Sequence, residues 1–119
     1  MKRGDVYVAR LDPTQGSEQS GLRPVVIVSR DAINRSSPVV IAVPVTSWTD
    51  DRRIYPSQVL VTAPEGGLRR DSIALGEQLR AITRDRLVDH WGTLGVGTMN
   101  RLDRALLIAL DLPGQFGCK

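Results

Sequence analysis

Two short apolar runs constrain this chain more than anything else in it: "LRPVVIVSR" (22–30) and "VVIAVPVTS" (39–47). Each holds successive Val and Ile residues in a stretch too short for a typical helix. β-branched side chains lose rotamer freedom in a helix and pack well on a pleated surface. Neither run alternates with polar residues, so both faces of each strand are expected against other protein rather than water. Pro44 lies inside the second run. Proline has no N–H to give to a ladder, so an edge position or a bulge is expected there.

The remaining segments fit around these strands. "DVYVARL" (5–11) reads as a first strand, stopped by Asp12, Pro13 and Gly16. "QVLVTA" (58–63) reads as a fourth strand followed by a turn over 64–67, and "DSIALGEQLRAI" (71–82) holds one or two short strands. "DAINR" (31–35) suits one helical turn with Asp31 near its start. In "TRDRLVDHWG" (83–92), Thr83 as N-cap, Asp85 in a first turn and Gly92 as a stop predict a short helix. The long helix is expected over 98–112, where Leu102, Ala105, Leu106, Ala109 and Leu110 recur at helical spacing and Pro113-Gly114 stop it. Asn100, Arg101, Asp103 and Arg104 form its polar side. Strands first and a helix last predict a mainly β, α+β architecture: a small twisted antiparallel barrel or sheet with a C-terminal helix packed on it. At 119 residues the chain suits one core and one domain, 1–119.

The formal charge is +3, and 14 of the 16 basic residues are Arg. Arg makes planar, bidentate contacts with phosphate or carboxylate, which leaves nucleic acid or an acidic partner open; a GC-rich genome would also enrich it. The one cysteine, Cys118, excludes an internal disulfide, and one His with one Cys argues against structural zinc. No apolar run approaches the length of a membrane span, so no membrane association and a reducing, cytoplasmic setting are expected.

Between the first two strands lies "GSEQSGLRP" (16–24). Gly16 and Gly21 permit an adaptable loop, and Pro24 holds Arg23 extended at the mouth of the second strand. Alternation puts Arg23 on the face of Val25 and Ile27, at the rim of the core. A Glu18–Arg23 ion pair could staple the loop, or the same residues could form a site; the local sequence is open between the two.

Residues 3–34, "RGDVYVARLDPTQGSEQSGLRPVVIVSRDAIN", resemble the MazF/PemK ribonuclease toxins of type II toxin–antitoxin systems, and the likeness continues through "VVIAVPVTS" and "RDSIALGEQLRAI" to the C-terminal helix. The resemblance implies an SH3-like barrel of the CcdB–MazF type. It also implies a sequence-specific endoribonuclease, independent of metal and cofactor, that cuts single-stranded RNA (mRNA). The 2′-hydroxyl attacks the adjacent phosphate, leaving a 2′,3′-cyclic phosphate and a 5′-hydroxyl. By similarity Arg23 and Thr46 are the catalytic pair, with Glu18 orienting Arg23 or acting as base. Arg stays protonated, so stabilisation of the phosphorane is its expected part. Ser17, Gln19, Glu77 and Gln78 match residues lining the RNA groove. The branch typified by the Kid toxin has Arg-x-Asp where this chain has Leu75-Gly76-Glu77, and His where it has Ser17. Homodimerisation is implied, as is inhibition by a cognate acidic antitoxin threaded across the groove.

Several residues keep a plainer alternative. Thr46 also suits a β-branched strand end. Glu77 is open between a base and a structural carboxylate bound to strand backbone or Arg80. Trp48 and Tyr55, in a loop with Arg52 and Arg53, could read a base or cap the core; Trp48 and Arg53 are the RNA-binding candidates there. Arg69 and Arg70 suit phosphate contacts or a solvated turn, and His90 and Trp91 suit packing. A different class of function is a non-catalytic poison like CcdB, which binds gyrase through a C-terminal Trp-Gly-Ile; this chain ends "GQFGCK". A catalytically silent binding module is a third reading, against which Arg23 and Thr46 stand.

Overall fold

In the computed structural model the described residues are 1–11, 16 and 21–113. Their elements are β1 (Asp5–Arg10), β2 (Leu22–Ile27), α1 (Asp31–Ser36), β3 (Val39–Ser47), β4 (Gln58–Val61), β5 (Ser72–Leu75), β6 (Arg80–Thr83), β7 (Leu87–Thr93) and α2 (Val96–Ala109). All the strand pairs are antiparallel, in the order β4-β5-β3-β2-β1-β7, with β6 also paired to β3. This is the expected mainly β barrel with its C-terminal helix.

β3 is the hinge of the architecture. On one side it pairs with β2; on the other it pairs with β6 from Val39 to Ala42 and with β5 from Val45 to Ser47. Pro44 stands in the gap where that side changes partner. The strand is therefore central; of the edge position or bulge expected from its proline, the edge is excluded, and the proline sits where the ladder changes partner. A residue without N–H is tolerated there because the gap asks for no ladder bond on that side.

The two faces of the sheet carry two cores, which explains the unbroken apolar runs. Val26, Val43, Val45, Val61 and Ala74 meet Met99, Leu102 and Ala105 of α2. Val25, Ile27, Val40, Ala42 and Ile82 meet Ala9 and Leu11 on the other face. α2 ends at Ala109, earlier than its apolar pattern suggests, and Leu110 and Leu112 are half-exposed. The helix's polar side is in use: Arg3 donates from its guanidinium to Asp103, from Nε to Val28 O at 2.9 Å, and from its backbone N–H to Asp31 Oδ1 at 2.7 Å. That backbone bond holds the Asp31 carboxyl below its usual range.

The expected helix over 83–92 is instead a short 3-10 turn, Arg84–Arg86, running into strand β7. Thr83 makes no capping hydrogen bond. β7 pairs with β1 through two irregularities, so Leu87, His90 and Thr93 stand opposite Ala9, Tyr7 and Asp5. A bulged strand that faces one way every third residue imitates the spacing of a helix.

Candidate functional site

β2 begins at Leu22, and Arg23 is exposed at its mouth opposite Ala9 of β1. Val25 and Ile27 fill the core on the face that Arg23 shares, as alternation requires. The β2–β3 ladder ends at Val25–Pro44, two residues short of Arg23 on β2 and of Thr46 on β3. Thr46 shares the face of Ala42 and Pro44 and pairs with Ile73 of β5. The two expected catalytic residues thus stand on one face, at the end of the sheet where β3 parts from β2.

Thr46 is 9% exposed. Its hydroxyl makes no hydrogen bond among the described residues, and no fully buried polar side-chain atom lacks a partner. The hydroxyl therefore reaches solvent from an otherwise enclosed residue. A merely structural threonine this enclosed would be expected to spend its hydroxyl on backbone.

Glu77 and Gln78 lie on the 3-10 turn Gly76–Gln78, which bridges β5 and β6 beside the Pro44 gap. The Glu77 carboxylate accepts from Ser57 Oγ at 3.1 Å and Gln58 Nε2 at 2.8 Å. Those partners are neither strand backbone nor Arg80. Gln78 is half-buried. Ser57 and Gln58 hold the carboxylate of this candidate residue, which sequence reading missed, because a contact spanning about twenty residues of chain leaves no local signal.

The loop after β3 is ordered by its own bonds. Trp48 N donates to Asp71 O at 2.9 Å, and its indole N–H donates to Arg52 O at 3.1 Å. Trp48 is half-buried, whereas Tyr55 is 51% exposed with the Arg53 guanidinium over its ring at 5.2 Å. Tyr55 therefore does not cap the core. Arg69 lies over the Trp91 ring at 4.7 Å. Ser17, Glu18 and Gln19, and with them the Glu18–Arg23 pair, lie outside the described residues, as does Cys118.

Residues 2–110 match the family described as PemK-like, MazF-like toxin of type II toxin–antitoxin systems. The chain is 42% identical over 112 residues to endoribonuclease EndoA of Bacillus subtilis, covering 94% of this chain and 96% of that protein. It is 41% identical to endoribonuclease MazF of Staphylococcus epidermidis, covering 94% and 92% respectively. Among solved structures it superposes with TM-score 0.79 and 30% identity on a mycobacterial endoribonuclease in complex with its cognate antitoxin, covering 96% of this chain and 98% of that one. MazF of Deinococcus radiodurans, at 24% identity, shares the fold with the same TM-score.

Proposed function

The chain belongs to the PemK-like, MazF-like toxins of type II toxin–antitoxin systems, and from that premise we propose that Arg23 and Thr46 cleave single-stranded RNA on the face they share. The relatives named above are endoribonucleases, which favours this reading over a CcdB-like poison of a protein target.

The chemistry follows from the positions. Attack of a ribose 2′-oxygen on the adjacent phosphorus gathers negative charge on the non-bridging oxygens. Arg23, permanently cationic and exposed at the strand mouth, neutralises that charge. The Thr46 hydroxyl donates to one of the same oxygens from a backbone fixed by pairing with β5. Glu18, the carboxylate of the preceding loop, takes the 2′-hydroxyl proton as the 2′-oxygen bonds to phosphorus. The bond to the 5′-oxygen breaks as that oxygen takes a proton from water, leaving a 2′,3′-cyclic phosphate and a 5′-hydroxyl. Glu77, Gln78, Trp48 and Arg53 are the candidates to line the path of the bases, with Ser17 and Gln19 added by family likeness alone.

The homodimer and the antitoxin belong to the same proposal. β4 is an edge strand, and between it and α2 runs a trough of two adjoining hollows of about 590 and 570 Å³, with Pro56, Gln58 and Ile108 lining both. Tyr55 and Ile108 leave apolar surface along it for a second copy. An acidic antitoxin segment suits the arginines that hold RNA. The cytoplasm is the setting where such substrates lie; among the described residues no helix is long and apolar enough to cross a membrane.

The observation that supports the proposal is the Thr46 hydroxyl, unspent within the described protein, on a residue two places beyond the last β2–β3 pair, as Arg23 is on the other strand. Thr46→Val keeps the shape and removes the donor. Cleavage of a long RNA is expected to fall by about 10²-fold, the scale of a lost oxyanion donor, with thermal unfolding unchanged. Full activity in a folded Thr46→Val would remove the residue from the mechanism.

A further inference from the structure

Beside the row that holds Arg23 lies an aromatic pair the cleavage chemistry does not use. Tyr7 stands opposite Val25 on β2 and His90 on β7, while Ala9 stands opposite Arg23 and Leu87. The row Val25–Tyr7–His90 therefore adjoins the row Arg23–Ala9–Leu87 on the same face. Two strand spacings and one two-residue step put His90 about 12 Å from Arg23, backbone to backbone.

The Tyr7 and His90 rings are stacked, with centroids 4.8 Å apart and planes at 27°. Tyr7 is the inner ring, packed against the core of that face. The His90 side chain is 47% exposed. Its Nε2 lies 2.9 Å from Gly92 O, and a carbonyl only accepts, so Nε2 carries the proton of that bond. Behind it, 3.6 Å from Nε2, is the buried Asp5 carboxylate, itself fixed by Lys2 N–H at 2.9 Å and the Thr93 hydroxyl at 2.8 Å. The imidazole is thus held at its Nε2 edge and by the Tyr7 ring on one face, with about half of the side chain left exposed. Fixing an exposed ring sacrifices rotamer entropy that packing alone would recover by burying it.

A pinned, half-exposed aromatic ring takes a planar partner, and on a surface that binds single-stranded RNA the planar groups are bases. We propose that His90, backed by Tyr7, is the stacking platform for a nucleobase flanking the phosphate held at Arg23. This rests on the RNA-cleaving function above and adds a binding residue to it. The rings form a continuous stack of Tyr7, His90 and base, with no proton moved and no bond made.

The untagged protein contains one histidine, so its imidazole resonances are read directly by NMR. Wild-type protein first digests a long RNA in EDTA, and end mapping gives the cleaved sequence. A 2′-O-methyl oligonucleotide of that sequence with its flanking nucleotides, which lacks the nucleophile, is then titrated in. The His90 Hδ2 and Hε1 signals are expected to move upfield under the ring current of the base; unmoved signals at saturation overturn the platform. In kinetics on the matching oligoribonucleotide, His90→Ala is expected to raise KM about tenfold, the scale of one stacked base, with kcat within about twofold. His90→Phe is expected to restore KM. Wild-type KM in a folded His90→Ala, or failure of His90→Phe to rescue, overturns the platform and leaves cleavage at Arg23 standing. No cleavage by wild type overturns both.

Discussion

Replacing Gly76 with alanine would place a methyl group 2.3 Å from Ser57 O and 3.6 Å from Leu106 Cδ2. The first distance is more than an ångström inside ordinary contact, and the obstacle is backbone. Gly76 N–H also donates to that same carbonyl at 3.0 Å, and Glu77 next to it accepts from the Ser57 and Gln58 side chains. The turn and the entry to β4 must therefore separate, stretching three hydrogen bonds. Overpacking costs about 1–3 kcal/mol and the weakened backbone bond about 1 kcal/mol, while the two side-chain bonds to Glu77 are exposed and are replaced by water at little cost. Alanine's smaller unfolded-state entropy returns about 0.4–1 kcal/mol. The net loss is about 2 kcal/mol, or roughly 6–10 °C in Tm for a domain of this size. Circular dichroism melts at matched concentration measure it, and RNA cleavage measured below both melting points tests the turn's role in the groove. A Tm within about 2 °C of wild type with undiminished cleavage would refute the placement of this turn.

Leu102→Ala removes a fully buried side chain under α2 and should cost about 2–5 kcal/mol in urea unfolding; less than 1 kcal/mol would mean the helix is not packed as described. Glu77→Gln should weaken cleavage while changing stability by under about 1 kcal/mol, since the bonds it alters are exposed. The Asp31 carboxyl is held low by the Arg3 backbone N–H, so its contribution is present above its unfolded pKa near 3.8 and lost as pH falls through the lower folded value. Urea midpoints at pH 6 and in acid should therefore differ less in Asp31→Asn than in wild type. Burial, then the Asp5 charge, raises the Tyr7 pKa above 10.0. Its contribution is present below that unfolded value and lost as pH rises through the folded one; an unchanged alkaline stability profile in Tyr7→Phe would contradict this.

The parts that were legible in the sequence are those whose signal is local. The run 39–47 is a strand over its whole length because Val and Ile without alternation have one good solution. Pro24 and alternation place Arg23 on the face of Val25 with no tertiary information. Pro44 misled, because the rule against proline in a central strand holds for a continuous ladder, and here the ladder changes partner at that residue. β7 misled more deeply, since Val88 and Trp91 are the extra residues of two bulges and leave Leu87, His90 and Thr93 three apart. The stacked Tyr7–His90 pair was invisible for the same reason: a histidine assigned to a helix cannot be lined up with a strand. The Arg23–Thr46 pairing came from family likeness; locally, neither residue announces the other across twenty-three positions of chain.

The most direct test is digestion of a long RNA in EDTA by wild type and Arg23→Ala, with mapping of the ends. Discrete wild-type cuts bearing 2′,3′-cyclic phosphate and 5′-hydroxyl ends, absent or nearly so with folded Arg23→Ala, are the predicted result. The same cuts at the same rate from both proteins would place the chemistry somewhere other than the face that Arg23 and Thr46 share.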